Sequence, residues 1–259
     1  MRTFLLPAVL LAATLTASAL EPVRFEWRGE MQAGQILEIL NINGSIKAEA
    51  AMGSEAEISV WISGTRPDPG SIRIHVGPNS GGVLACTIYE GLSRPEYCVP
   101  GIEPSLTLNN SDIRVDYSLK VPAGVKLVAK TVNGQLTAGL PASAIVANAV
   151  NGRITVSTRM PVTANLVNGT ILASFEGEDW SDTRGLHTVN GSIDVELPET
   201  IDADVKASTL WGFITTEFPI QVQRGFVGSS INGSINRGGP KLEMTTVNGS
   251  IHLRKALRD

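Results

Sequence analysis

The side chains able to do acid–base, nucleophilic or metal chemistry are few and scattered in this 259-residue chain. His75, His187 and His252 stand in separate regions without the spacing that a shared metal ion needs. Asp194, Asp202 and Asp204 could be imagined as the carboxylates of a sugar-cleaving site, but they alternate with apolar residues, as outward strand positions do. The acidic stretch Glu176-Gly177-Glu178-Asp179-Trp180-Ser181-Asp182 lacks the patterned oxygen spacing of a calcium loop and reads as a solvated loop. No Gly-x-Ser-x-Gly, His-Glu-x-x-His, phosphate loop or dinucleotide fingerprint occurs. No catalytic residue, cofactor or metal is expected, and the chain reads as a non-enzyme.

Two features remain. Cys86 and Cys98, twelve positions apart, are expected to form a structural disulfide that staples a loop with little core of its own. Trp211 and Phe213 put two aromatics where related segments carry Asn and a mostly polar residue. They form either an exposed platform for a sugar or protein partner, or packing for a wider part of the fold; packing is the commoner use of aromatics.

The related segments are the organising pattern. Asn43-Gly44, Asn133-Gly134, Asn151-Gly152, Asn168-Gly169, Asn190-Gly191, Asn232-Gly233 and Asn248-Gly249 each sit in a Val/Ile-Asn-Gly-x-Ile/Leu frame. Trp211-Gly212 is a degenerate copy, and from Gly134 the glycines recur after 18, 17, 22, 21, 21 and 16 residues. A nearly fixed period marks a repeat architecture. Asn-Gly usually signals a two-residue hairpin, but a hairpin would pair Val132 with Gln135 and Val150 with Arg153 on one face. A corner suits the pattern better, with the residue before Asn and the second residue after Gly both pointing inward. On that expectation Val150→Asp would bury an unpaired charge and unfold the array. Prolines at Pro141, Pro161, Pro198, Pro219 and Pro240 mark the opposite bends, since proline cannot donate to a ladder.

Between these marks the chain alternates apolar and polar residues, as in Ile193-Asp194-Val195-Glu196-Leu197. The expected fold is all-β, a parallel β-solenoid of stacked coils of about 16–22 residues, because one coil alone cannot bury its apolar face. The asparagines should stack as a ladder of amides, interrupted at Trp211.

At the N-terminus, Arg2, an apolar run from Phe4 to Ala13 and Ala17-Ser18-Ala19 read as an export signal over residues 1–19, cleaved after Ala19. That run is too short to span a membrane, and no later stretch is apolar enough. The remaining chain carries 20 basic against 25 acidic residues, spread evenly, which argues against nucleic acid as a partner. Residues 20–111 read as an N-terminal β region holding the first corner and the cysteine-bearing insert. Residues 112–259 read as the regular repeat.

The run Val115-Asp116-Tyr117-Ser118-Leu119-Lys120-Val121-Pro122-Ala123-Gly124-Val125, followed by repeated Thr-Val-Asn-Gly-Ser-Ile units, resembles the DUF4097 β-strand-repeat family of adhesin-like exported bacterial proteins. The resemblance covers about residues 35–254 and departs from the pattern at Trp211 and in the insert. It implies a β-solenoid without catalytic residues, acting at the cell envelope as an adhesin, scaffold or binding module on an unknown protein or glycan. The alternatives are an envelope-stress-related periplasmic domain that binds proteins and, further off, a carbohydrate-active β-helix enzyme.

Overall fold

The structure is a computed structural model that describes residues 23–65, 72–90, 98–101, 112–177, 182–225 and 227–256. The expected signal peptide, residues 178–181 of the acidic stretch and the last three residues lie outside the described residues. Eighteen strands and no helix are found among the described residues. They are β1 (Val23–Glu30), β2 (Ile36–Leu40), β3 (Ile46–Ala50), β4 (Glu55–Ser63), β5 (Ile72–Asn79), β6 (Gly82–Tyr89), β7 (Arg114–Val121), β8 (Lys126–Gly139) and β9 (Ile145–Thr158). The series continues with β10 (Val162–Phe175), β11 (Arg184–Asn190), β12 (Ile193–Leu197), β13 (Ala203–Trp211), β14 (Ile214–Thr216), β15 (Val222–Arg224), β16 (Ser229–Ile235), β17 (Lys241–Asn248) and β18 (Ile251–Lys255).

The Asn-Gly corner divides the strands into two ladders. The first runs β5-β6-β2-β8-β9-β10-β11-β17-β13-β16-β15. The second runs β1-β4-β7-β3-β8-β9-β10-β12-β18-β14. The long strands β8, β9 and β10 belong to both, their N-terminal halves to the first ladder and their C-terminal halves to the second. From β2 to β13 and from β7 to β14 every pairing is parallel. Parallel pairing in register sets Asn133 on Asn151, Asn151 on Asn168, and Asn168 on Asn190. These copies are therefore not hairpins.

How the chain turns is legible in its burial. Thr131 and Leu136 are both buried although they stand five positions apart, an odd number, and Ala149 with Ile154 and Leu166 with Ile171 repeat this. A straight strand would send such a pair to opposite faces. The corner absorbs one residue and shifts the alternation, so the inward residue stands two before Asn rather than one before. The valine before Asn consequently points out, which corrects the expectation that it is buried. The buried threonine has its own work: Thr246 donates its hydroxyl to the Gly191 carbonyl at 3.0 Å, and Thr209 to the Gly249 carbonyl at 2.7 Å.

Glycine is required at the corner. Gly152 has φ +137° and a Cβ there would land on the carbonyl oxygen of Gly134 in the adjacent coil. Gly134 stands in the same relation to Gly44, Gly169 to Gly152, Gly191 to Gly169, Gly249 to Gly191 and Gly212 to Gly249. This series gives the spatial order 44, 134, 152, 169, 191, 249, 212, which differs from chain order at its end. β17 and β18, the last strands of the chain, slot between β11/β12 and β13/β14. Asn232-Gly233 stands apart. It lies on β16, antiparallel to β13 with Lys206 opposite Asn232, and Gly233 has no left-handed φ. The physical reason is that β16 runs back along the outer edge of β13, so its Asn-Gly meets no coil to stack on.

One continuous hydrophobic core, from Met31 to Leu253, fills the space between the ladders. Val, Ile, Leu and Ala supply most of it.

Candidate binding face

The corner shift that turns the valines outward builds a row of aliphatic side chains on the first ladder. Val132, Val150, Val167, Val189, Val247 and Leu210 follow one another from coil to coil, each preceding an Asn or Trp whose register is fixed by pairing. Val132 is half-buried; beyond it the row is open, with Val150 at 36%, Val189 at 42% and Leu210 at 49% exposure. Ile42, which precedes Asn43 in the same way, is buried near the disulfide-bearing segment. With neighbouring strands about 4.8 Å apart, the five steps from Val132 to Leu210 span roughly 24 Å.

Two polar rows border the valines. On the corner side run the motif amides: Asn133 donates to Asn43 at 2.9 Å, Asn151 to Asn133 at 2.8 Å and Asn168 to Asn151 at 2.9 Å. Asn190 then donates to Asn168 at 2.8 Å and Asn248 to Asn190 at 2.7 Å. Trp211, paired in register with Asn248, stands at the end of this row instead of interrupting it. On the other side lie Asn148, Asn165, His187, Thr245 and Ser208, in register, with Asn165 donating to Asn148 at 2.9 Å. An open concavity of about 510 Å³ runs between this row and Val150, Val167 and Val189.

The face is electrically quiet. At one end Lys130 and Glu38 form a buried pair at 3.8 Å, and Glu38 also accepts from the Gly101 amide and the Asn79 side chain. At the other end Lys206 and Glu243 pair at 3.2 Å. The disulfide between Cys86 and Cys98, with Cα atoms 5.9 Å apart, closes the first end together with Leu40 and Leu84.

The remaining candidates of the sequence are placed apart from one another. Asp194 pairs with Arg254, Asp202 with Arg237, and Asp204 accepts from Ser234, so the three carboxylates have three separate partners. The Arg237 guanidinium holds the Asp202 carboxyl below its usual range. His252 bonds Thr215 at 2.7 Å and takes Phe213 edge-on at 5.8 Å, on the second ladder, while His187 is on the first. Trp211 at 63% and Phe213 at 54% exposure flank Gly212 at the last stacked corner. Among the described residues no group of three or more His, Cys, Asp or Glu side chains could hold a metal ion. The buried polar groups lie inside: Thr87 bonds Tyr117 and Asn41, and burial pushes the Tyr89 hydroxyl up to about 12. Burial likewise brings the Arg184 guanidinium, which lies over the Phe175 ring, down to about 10.

Fold and face define an all-β class of protein in which a repeated motif forms two mostly parallel ladders joined through β8, β9 and β10, and the distinctive surface is a face. No family model matches the sequence, and no curated protein sequence matches it. The fold recurs in the crystal structure of a "putative cell adhesion protein" from Clostridium sporogenes, at 13% identity and a TM-score of 0.53, covering 91% of this chain and 100% of that one. A "putative adhesin" from Bacteroides fragilis aligns over 90% of this chain and 97% of its own at 8% identity, with a TM-score of 0.33. At such identities the first likeness establishes a shared fold, and the second is too distant to add to it. No helix among the described residues is long and apolar enough to cross a membrane.

Proposed function

We propose that this chain is an exported, non-enzymatic β-solenoid that works as a binding module at the bacterial envelope, an adhesin or surface scaffold. In this reading residues 112–259 form the regular stack, and residues 20–111 supply its first coil and a disulfide-stapled cap. The observation that carries the proposal is the outward aliphatic row from Val150 to Leu210. Soluble proteins leave few contiguous apolar strips uncovered, and those that persist mark binding surfaces. A disulfide suits an oxidising compartment, in keeping with the export signal read in residues 1–19. The name of the Clostridium sporogenes protein that shares the fold, a "putative cell adhesion protein", points the same way.

Trp211 and Phe213 extend the surface at its far end, where aromatic side chains contribute large contact areas at low entropic cost. The test is attachment of the purified protein to bacterial cells and cultured epithelial cells, wild type against Val167→Asp. Saturable attachment lost in a variant that melts like wild type is the expected result. Attachment equal in both would remove the face from the proposal.

A further inference from the structure

We infer that the partner of this face is an uncharged, extended polysaccharide chain; the inference rests on the binding-module reading above and names its ligand. Five aliphatic side chains, each half exposed or less, fall well short of the roughly 800 Å² that each partner of a standard protein interface covers. A strip one side chain wide and roughly 19 Å long, four steps of about 4.8 Å, is matched to a single extended chain.

A peptide is the first such chain to consider, and the backbone excludes its usual mode. β9, β10, β11 and β17 are each paired on both sides in the first ladder, so this face has no open edge to which a strand could be added. What the face offers instead is side-chain amides and hydroxyls. In the ladder each motif amide uses one N–H and one oxygen lone pair on its neighbours, which leaves one of each for a ligand at every interior coil.

Charge then selects among the remaining polymers. From Asn148 to Ser208 the inner polar row is Asn, Asn, His, Thr and Ser; the row beyond it holds Val146, Thr163, Gly185 and the mutually paired Glu243 and Lys206. Arg153 belongs to the other side of the corner, with the second ladder. An anionic polymer would find no row of cations here, and a cationic one no row of carboxylates.

A pyranose ring matches what is left. Its faces are C–H and its rim is hydroxyl, so successive rings can lay C–H on the valines while their hydroxyls reach the amide rows on either side. The coil spacing of about 4.8 Å is close to the length of one sugar residue in an extended chain. Trp211 adds an indole face at the end of the strip, where a ring can stack.

The experiment is the attachment assay with cells pretreated in two ways: periodate, which cleaves vicinal diols of sugars, or protease. Cellohexaose, whose rings carry the vicinal diols that periodate cleaves, serves as the soluble competitor, and polygalacturonate as the charged control. The expected result is attachment lost after periodate, kept after protease, weakened by a neutral hexasaccharide and untouched by polygalacturonate. Val167→Asp should weaken calorimetric binding of the competing hexasaccharide at least about tenfold, with Lys47→Ala on the second ladder as the silent control. Attachment that survives periodate and is lost with protease overturns the polysaccharide and leaves the binding module standing. Attachment indifferent to Val167→Asp removes this face, and the polysaccharide assigned to it, from the binding module.

Discussion

Asn248 donates its side-chain N–H to the Asn190 oxygen at 2.7 Å although 58 positions separate the two in the chain. The bond shows that the last coil is inserted between two that precede it. The coil of β13 and β14 is laid down one place beyond β11 and β12, and β17 and β18 fill the gap. Trp211 thereby becomes the end of the amide row. A polar row of six asparagines runs unbroken beside the valines because the chain returns to complete it.

The amide row predicts a graded cost. Asn168→Ala removes two amide contacts, with Asn151 and Asn190, whereas Asn248→Ala removes only the one with Asn190. At roughly 0.5–1.5 kcal/mol net per hydrogen bond, Asn168→Ala should cost about 1–2 kcal/mol and Asn248→Ala about half that. Asn232→Ala, outside the row, should stay within about 0.5 kcal/mol. Urea denaturation of the three variants checks the order; equal losses would mean that the row contributes nothing through its bonds.

The corner glycines predict a sharper contrast. Gly152→Ala places a Cβ at φ +137° and against the Gly134 carbonyl, so either the coils part or the corner opens. Backbone strain alone is of order 1–3 kcal/mol, and the clash adds to it, for a loss of at least about 3 kcal/mol. Gly233→Ala has an ordinary φ and meets only the Ile220 side chain, which can shift. Its loss should be below about 1.5 kcal/mol, within the range of mild overpacking. Thermal melting of both variants decides it.

A charge in the valine row should be tolerated where a charge two residues past the glycine is not. Val150 is 36% exposed, so Val150→Asp leaves its carboxylate in water and should change stability by less than about 1 kcal/mol. Ile154 is buried, and Ile154→Asp would strand an unpaired charge between the ladders and abolish the cooperative melt. Circular dichroism melts of the pair would overturn the burial assignment if Val150→Asp were the one to unfold.

Much of this was legible in the chain, and the part that was not has a physical cause. Alternation located the strands around Ile193–Leu197 and Ala203–Ala207, and the recurrence of Asn-Gly announced stacking, because both are local properties of the sequence. The direction of the valines was misread because a corner that absorbs one residue cannot be told from one that absorbs none until the carbonyl geometry at glycine is known. Buried Thr131, Thr209 and Thr246, two before Asn or Trp, carried the signal: a threonine beside an aliphatic residue can point inward once its hydroxyl reaches a glycine carbonyl. The insertion of β17 was hidden for a different reason. Neighbour choice among near-identical coils depends on which edges are left open, and no single repeat encodes that.

Acid should loosen the first coils in a way that one carboxylate controls. Asp116 is half-buried, and burial by itself would raise its pKa. Bonds from the Arg114 guanidinium and from the Ser45 hydroxyl and amide outweigh that and hold it below its ordinary 3.8. A carboxyl depressed in the folded state contributes stability that is present above the unfolded pKa and is lost as pH falls through the folded one. The wild-type melting temperature should therefore stay level from pH 7 to about pH 4 and fall below it. Asp116→Asn keeps the shape but gives up the ionic partner of Arg114 and turns one acceptor oxygen into a donor, so it should start lower at neutral pH. It should also lose less on acidification, and the two curves should converge as pH falls through the lowered pKa of Asp116. Glu49, drawn down to about 2 by Lys120 and Lys47, titrates in both proteins and cancels from the difference. Parallel curves across the whole range would show that the link between Ser45 and Asp116 does not stabilise the joint between β3 and β7.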